Sequence, residues 1–502
     1  MKQLHELPSN WIWTTISELG AVVSGGTPST KETDYWGGDI SWISPSDLTG
    51  YTNKYISYGA KSLTFAGLQN SSAKVMSAGS VHFSSRAPIG YTVISGRDMT
   101  TNQGFKSLVP SKGVFNEYVY YYFKASKQLA ESVATGTTFK EISGSAFAKL
   151  PVPLPPEPEQ RRIVVKIEEL FSELDKGVES LKAAQAQLKV YRQALLKHAF
   201  EGKLTAQWRA DNPDKLETAD ALLKRIQKER EQRCQQQVAD WKASGKTNGK
   251  PKAPKPVSAL TAEELSELPL LPNGWTWSKL EPLAAQITDG EHFRPPTTQE
   301  GIPFLSAKDV RDDGVSFSAP LFISQETADK AWERCKPQRG DILIVSRGAT
   351  VGRMCVVNSD RPFSLLGSVI LLKTTTATSP SFLLAALKAP LVNKKIVGVS
   401  GATAQQAIYL RDIQHVPVPV CSLQEQSEII GILETKLSEV DQLEQTLVAS
   451  LQQSEALRQS ILKKAFSGQL VPQDPADEPA SVLLARIKAE QSAAPKAKKA
   501  RK

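Results

Sequence analysis

The chain is written twice, and that duplication limits its fold more than any other feature. Leu7-Pro8-Ser9-Asn10-Trp11-Ile12-Trp13 returns as Leu271-Pro272-Asn273-Gly274-Trp275-Thr276-Trp277, 264 residues later. Ile40-Ser41-Trp42-Ile43-Ser44 with Asp47-Leu48 answers to Ile302-Pro303-Phe304-Leu305-Ser306 with Asp309-Val310. Ser85-Arg86-Ala87-Pro88-Ile89-Gly90 matches Ser346-Arg347-Gly348-Ala349-Thr350-Val351-Gly352. Pro151-Val152-Pro153, closing in Glu159-Gln160, matches Pro417-Val418-Pro419, closing in Glu425-Gln426. Arg192-Gln193, Leu196-Lys197 and Ala199-Phe200 recur 266 residues on as Arg458-Gln459, Leu462-Lys463 and Ala465-Phe466. Ordered matches at a nearly constant offset mean an internal repeat of one architecture.

Each copy changes texture part-way. Its first portion has short apolar runs such as Ile342-Leu-Ile-Val345 and Val369-Ile-Leu-Leu372, bounded by glycine turns. These read as strands of a mixed, mostly β domain, with helices expected over Val114–Glu131 and Ser381–Lys395. A proline cluster then forbids helix until it ends. Beyond it Ile167, Leu174, Leu181, Leu188 and Leu195 fall seven apart, with Ile163, Leu170, Ala184 and Tyr191 between. The second copy offers Leu433, Val440, Leu447, Ser454 and Ile461, with Ile429, Leu443 and Leu457 between. Heptads this long predict two coiled-coil helices of about 40 residues, roughly 60 Å each, stopped at Gly202 and Gly468. Antiparallel pairing of the two is expected.

The fold class expected is therefore α+β, with two mostly β domains separated by an antiparallel helix pair in a pseudo-twofold arrangement. The segments are a first domain at 1–155, a long helix at 156–204, a central helical segment at 205–242 and a lysine–proline linker at 243–264. A second domain at 265–421, a second long helix at 422–470 and a short helix with a basic tail at 471–502 complete the chain.

At 502 residues, 40% hydrophobic and 23% charged, the composition is that of a globular protein. A formal charge of +9 favours an anionic partner. The four cysteines form no CxxC pair, which argues against a disulfide framework or a zinc ribbon. The start lacks a signal peptide's apolar core and no run is long enough to span a membrane, so a cytoplasmic location is expected.

Several chemistries are missing. Gly245-Lys246-Thr247 resembles the end of a phosphate-binding loop, but Asp240 stands where its first glycine should be and no strand precedes it. No [N/D]PP[Y/F] tetrapeptide for a flipped adenine and no GxSxG elbow occurs, and the five histidines lack ligand spacing. Neither a catalytic site nor a metal site is expected.

What remains are loops with glycine, hydroxyls and cations, suited to phosphates and base edges. Gly25, Gly26 and Thr27 align with Asp289, Gly290 and the segment carrying His292 and Arg294. Ser85-Arg86 and Ser346-Arg347 each close an apolar strand, where the arginine either reaches DNA or pairs with a carboxylate of its own domain. Thr137 and Lys140 lie in one small-residue loop, Gln405 and Gln406 in its counterpart, and Lys308 follows the duplicated Ser306.

This ordered set resembles the specificity subunit of type I restriction–modification systems. The two LPxxWxW openings, the two Ser-Arg segments, the proline–Glu-Gln junctions and the twin RQxxLKxAF helix ends carry the resemblance over nearly the whole chain. It implies two target recognition domains, each reading half of a split, asymmetric double-stranded DNA site. The long helices, through Ile167, Leu174, Leu181, Leu188, Leu195, Leu433, Val440, Leu447 and Ile461, would set the gap and dock partners. Those partners would be two modification (methyltransferase) subunits and two restriction (translocase–nuclease) subunits. S-adenosylmethionine, ATP and magnesium would sit on them, and this noncatalytic chain would bind no cofactor. The rival readings are a structural coiled-coil adaptor and a fused methyltransferase–nuclease.

Overall fold

In the computed structural model, which describes residues 5–136, 140–243, 245, 259–398 and 407–493, each tryptophan motif pairs with a proline junction. Ile12–Thr15 runs antiparallel to Pro151–Leu154, with Trp13 opposite Pro153. Thr276–Lys279 does the same with Pro417–Val420, with Trp277 opposite Pro419. Proline cannot donate to a ladder, and in these two-stranded ribbons each strand has an unpaired edge that accommodates it.

The α+β chain divides into two units. The first holds residues 1–182 and 448–502, the second residues 183–447.

In the first unit a five-stranded sheet orders Gly20–Ser24, Phe105–Pro110, Val81–Ser84, Thr92–Ser95 and Tyr55–Ile56. A three-stranded sheet places Trp36–Ile43 between Lys61–Leu63 and Met99–Thr101, the last pairing parallel. The core joins Phe83, Tyr118, Phe123 and Phe147 to Ile163 and Ile167 of the first long helix. Phe466 of the second long helix and Leu483 and Ile487 of the helix Ala480–Ala493 complete it.

The second unit repeats the plan. Four strands run in the order Ala284–Asp289, Val369–Thr374, Ile342–Val345 and Met354–Val356. Ile302–Leu305 lies between Leu321–Ile323 and Ser364–Leu365. Here the helix Ala219–Ala243 supplies Leu222 and Ile226 to the core.

The domain helices are shorter than their sequence suggests. Val114–Glu131 resolves into Asn116–Ala125 and Lys127–Val133. Between them Ser126 turns its hydroxyl back onto the Tyr122 and Phe123 carbonyls. Ser381–Lys395 resolves into Pro380–Lys388 and Pro390–Gly398. Pro390 lacks the N–H that would continue the first of these.

The long helices run Glu157–Phe200 and Leu423–Phe466, 44 residues each, and Gly202 and Gly468 follow with φ of 71° and 73°. Within the first unit, Ile163 and Ile167 share a core with Ile461 and Phe466, while Asp175 meets Arg458. Contacts that climb one helix as they descend the other mark an antiparallel pair. In the second unit Leu195 and Phe200 share a core with Ile429 and Leu433, while Arg192 meets Asp441.

The seam is narrower than the heptads imply. Ile167, Leu195, Leu433, Val440 and Ile461 are buried, and Leu174, Leu181, Leu188 and Leu447 half-buried. Three residues expected between them face out: Tyr191 is 46% exposed, Leu443 54% and Leu457 50%. Two helices without a third bury only a strip, so flanking positions of the heptad stay in water. Among the described residues no helix is long and apolar enough to cross a membrane.

Candidate nucleic-acid interface

The proline–Glu-Gln junctions position everything else. Gln160 accepts from the Phe115 N–H at 2.7 Å and donates to the Gly113 and Pro155 carbonyls. Gln426 accepts from the Ser379 N–H at 2.9 Å and donates to the Ala377 and Cys421 carbonyls. A buried amide thus ties each domain to the first turn of its long helix. These motif residues are architectural.

In the first unit the predicted residues Gly25, Gly26, Thr27, Ser85 and Arg86 converge. A Cβ on Gly25 would lie 1.9 Å from the Asn102 carbonyl oxygen, so glycine here permits close strand approach. The Trp42 indole donates to the Gly26 carbonyl at 3.0 Å, and Thr27 donates to Gln103. Lys106 donates to the Gln103 carbonyl at 3.1 Å and lies 3.6 Å from Glu141. Burial pushes the Lys106 ammonium below its usual pKa, opposed by the Glu141 charge. Glu141 also holds Arg86 at 3.4 Å. Ser85 is buried, and its hydroxyl donates to the Gly104 carbonyl at 3.0 Å. Lys140 is exposed beside this group. Thr137 lies outside the described residues.

The same unit carries a basic stretch of sequence. Residues 48–97 contain Lys54, Lys61, Lys74, Arg86 and Arg97 and no acid. Lys54 is taken by Glu117 and Glu168. Lys61 instead lies over the Trp36 ring at 5.3 Å and Arg97 over Tyr58 at 4.9 Å, neither with a carboxylate partner among the described residues. Tyr58 is exposed and Trp36 half-buried, and cations beside accessible aromatic surface suit phosphates and bases.

The second unit builds its version differently. Gly290 lies so near the Leu365 carbonyl that a Cβ would stand 2.1 Å from its oxygen. Arg334 pairs with the Asp289 carboxylate, donates to the Asp289 and Gly290 carbonyls at 3.0 Å, and lies 3.3 Å from His292 Nε2. Phe293 and Arg294 project into solvent. Lys308 donates to the Ala319 carbonyl. Ser346 is buried and donates to the Gly367 carbonyl.

Backbone bridges join Arg86 to Glu141 and Arg347 to Ala407, positions equivalent in the two copies. Alanine replaces the carboxylate, so Arg347 is exposed with no ion pair among the described residues. Arg86 is therefore committed to its own domain and Arg347 is not. Gln405 and Gln406 lie outside the described residues.

Gln103, Glu141 and Arg334 escaped the sequence reading. Glu141 and Ala407 sit at one repeat position, which an alignment of the copies would have exposed. Arg334 follows the helix Gln325–Trp332, outside the motifs that the two copies share. Among the described residues no group of three His, Cys, Asp or Glu side chains is placed to hold a metal ion.

A family model described as the type I restriction modification DNA specificity domain matches residues 8–185 and 284–453. The chain belongs to this specificity family. Its relatives include the type I restriction enzyme MjaIX specificity subunit of Methanocaldococcus jannaschii, 37% identical over 199 residues. That alignment covers 39% of this chain and 45% of the relative, less than half its length. The EcoBI specificity subunit of Escherichia coli is 26% identical over 419 residues, 80% of this chain and 77% of the relative.

Solved structures share the fold. A chain described under "Structural basis underlying complex assembly and conformational transition of the type I R-M system" superposes with a TM-score of 0.65 at 20% identity. It spans 93% of this chain and 100% of that one. The HsdS subunit from Thermoanaerobacter tengcongensis gives 0.52 at 19% identity, covering 93% and 98%. The noncatalytic reading of the sequence agrees with membership of a DNA specificity family.

Proposed function

We propose that this chain is the DNA-recognition subunit of a type I restriction–modification complex, reading a bipartite, asymmetric target with one domain per half-site. The observation that carries this reading is a duplicated scaffold with unlike loops. Equivalent strands and junction glutamines recur in both units, yet the loop ends present Thr27, Gln103 and Lys140 in one and Phe293, Arg294 and Arg347 in the other. One frame bearing two chemistries suits a target whose halves differ.

The long helices act as the spacer and as the dock for two modification and two restriction subunits. Exposed apolar side chains on them, including Val165, Val190, Tyr191 and Leu457, support docking. S-adenosylmethionine, ATP and magnesium belong to those partners, and the complex works in the cytoplasm. Two domains meeting the major groove on one face of B-DNA place half-site centres about one turn, roughly 10 base pairs, apart.

Deleting four residues, 176–179, from the first long helix tests the spacer role. Sequencing of methylated adenines in a host carrying the complex should show an altered gap, or no recognition, with both half-sites retained. A changed half-site with an unchanged gap contradicts the reading.

A further inference from the structure

The loop that follows Asp289 has a side chain the fold does not use. Phe293 is 87% exposed, an unusual state for a phenylalanine in a loop held as firmly as this one. Glu291 donates its N–H to the Leu365 carbonyl at 2.8 Å, and Gly367 donates to the Glu291 carbonyl at 2.7 Å. Gly290 donates to the Val369 carbonyl at 3.2 Å. Arg334 grips the same loop from beneath through Asp289 and Gly290. Pro295 and Pro296 stiffen its exit. The ring is thus presented on a braced support, at little further ordering cost.

Its neighbours indicate what it meets. Arg294 is exposed beside it. Gly367, which braces Glu291, also receives the Ser346 hydroxyl next to the exposed Arg347. The apolar ring thus shares its loop with one exposed arginine, and that loop is joined through Gly367 to the segment carrying another, cations that a phosphate backbone attracts. On the major-groove edge of a base pair the only apolar group is the thymine C5 methyl, and phenylalanine is one of the side chains that contacts it.

The geometry points to Phe293 as a specificity-determining residue of the second recognition domain, pressing its ring on the C5 methyl of one thymine in that domain's half-site. This rests on the DNA-recognition reading above and deepens it. The first domain's equivalent loop, Gly25-Gly26-Thr27-Pro28, has no aromatic residue, so the preference belongs to one half-site.

Removing the methyl alone tests the contact. The full chain, assembled with its modification partner, is titrated against duplexes of its methylation target in which each thymine of either half-site is replaced in turn by deoxyuridine. One replacement, in a single half-site, should weaken binding about fourfold, the affinity equivalent of one methyl group's burial at about 0.8 kcal/mol. Phe293→Ala should weaken binding to the thymine duplex by at least as much and be indifferent to that deoxyuridine, while Phe293→Leu keeps part of the discrimination.

Indifference of the unsubstituted chain to every deoxyuridine overturns the assignment, as does a Phe293→Ala variant that still discriminates. A rise in 2-aminopurine fluorescence beside the half-site, lost in Phe293→Ala, would make the ring an unstacking wedge and also overturn it. An assembly with no sequence preference at all sinks the DNA-recognition reading itself, an outcome distinct from these.

Discussion

Arg192 donates to the Asp441 carboxylate where the two long helices meet in the second unit. Their counterparts 266 residues away, Arg458 and Asp175, make the same contact in the first unit. The duplication therefore copied an interaction as well as a shape, with each arginine reaching the acid of the other repeat. A two-helix seam this narrow leaves slippage weakly opposed by packing, and a paired charge at a fixed level specifies the register.

The pair should matter little to stability itself. The Arg192 side chain is 33% exposed and that of Asp441 57%, so water screens the attraction. Asp441→Asn is expected to cost less than about 1 kcal/mol, read from urea unfolding of the assembled protein. Arg192→Asp should cost more by setting like charges together, and adding Asp441→Arg should recover most of that loss. No recovery in the exchanged pair would show that register is set elsewhere.

A buried pair behaves differently. Glu425, at the second junction, accepts from the Thr205 hydroxyl at 2.7 Å and from Arg209. The side chains are 1% and 13% exposed. The first junction meets the same need with no arginine bonded to it: Glu159 accepts from the Trp11 indole at 3.0 Å and from Gln473, and burial pushes its carboxyl up against these bonds and the nearby Arg162 charge. Arg209→Ala leaves the Glu425 carboxylate buried without its cation, a loss of about 3–5 kcal/mol. Adding Glu425→Gln removes the charge and should restore a large part of it. Denaturant midpoints of the two variants decide this.

The repeat made the scaffold readable because it is encoded locally. LPxxWxW, the proline junction and the heptads each announce an element, and the structure joins the first two as the Trp13–Pro153 and Trp277–Pro419 pairs. Heptad arithmetic did not separate Leu433, which is buried, from Leu443, which is exposed, because Leu433 also packs into the domain core and Leu443 does not. The interface was less legible. Arg86 and Arg347 look alike in sequence, and only the residue bridged to each, Glu141 or Ala407, tells them apart. Arg334 reaches Asp289 across 45 residues through tertiary folding that no local pattern records.

The acid side of stability in the first unit should involve His82. Its imidazole is fully buried, with Nδ1 2.9 Å from the Ser107 hydroxyl, and burial holds its pKa down at about 3 against an ordinary 6.5. Above pH 6.5 both folded and unfolded states are neutral there, and stability does not vary through this group. As pH falls from 6.5 toward 3, only the unfolded state takes the proton. Stability then declines by up to about 1.4 kcal/mol per pH unit. His82→Gln abolishes that titration. Its thermal midpoint should fall less steeply than that of the unsubstituted chain between pH 7 and pH 4, and parallel curves would refute the assignment.

The two serine–arginine segments should separate in DNA binding. Arg86 spends its charge on Glu141 at 3.4 Å, so a phosphate or base must compete with a carboxylate already in place. Arg347 faces alanine at that position and meets no such competitor among the described residues. Arg347→Ala should weaken target binding about 10-fold or more if the guanidinium reads a guanine edge, since a bidentate contact contributes about 1–3 kcal/mol of discrimination. If it holds a phosphate, binding falls evenly across sequences and the salt dependence drops by about one counterion. Arg86→Ala should leave both affinity and salt slope within about twofold of the original, the small loss coming from a half-exposed ion pair. Titrations at two salt concentrations on target and scrambled duplexes distinguish these outcomes. Equal losses for the two arginines would mean that Glu141 releases Arg86 on binding, and that the carboxylate does not set the difference between the copies.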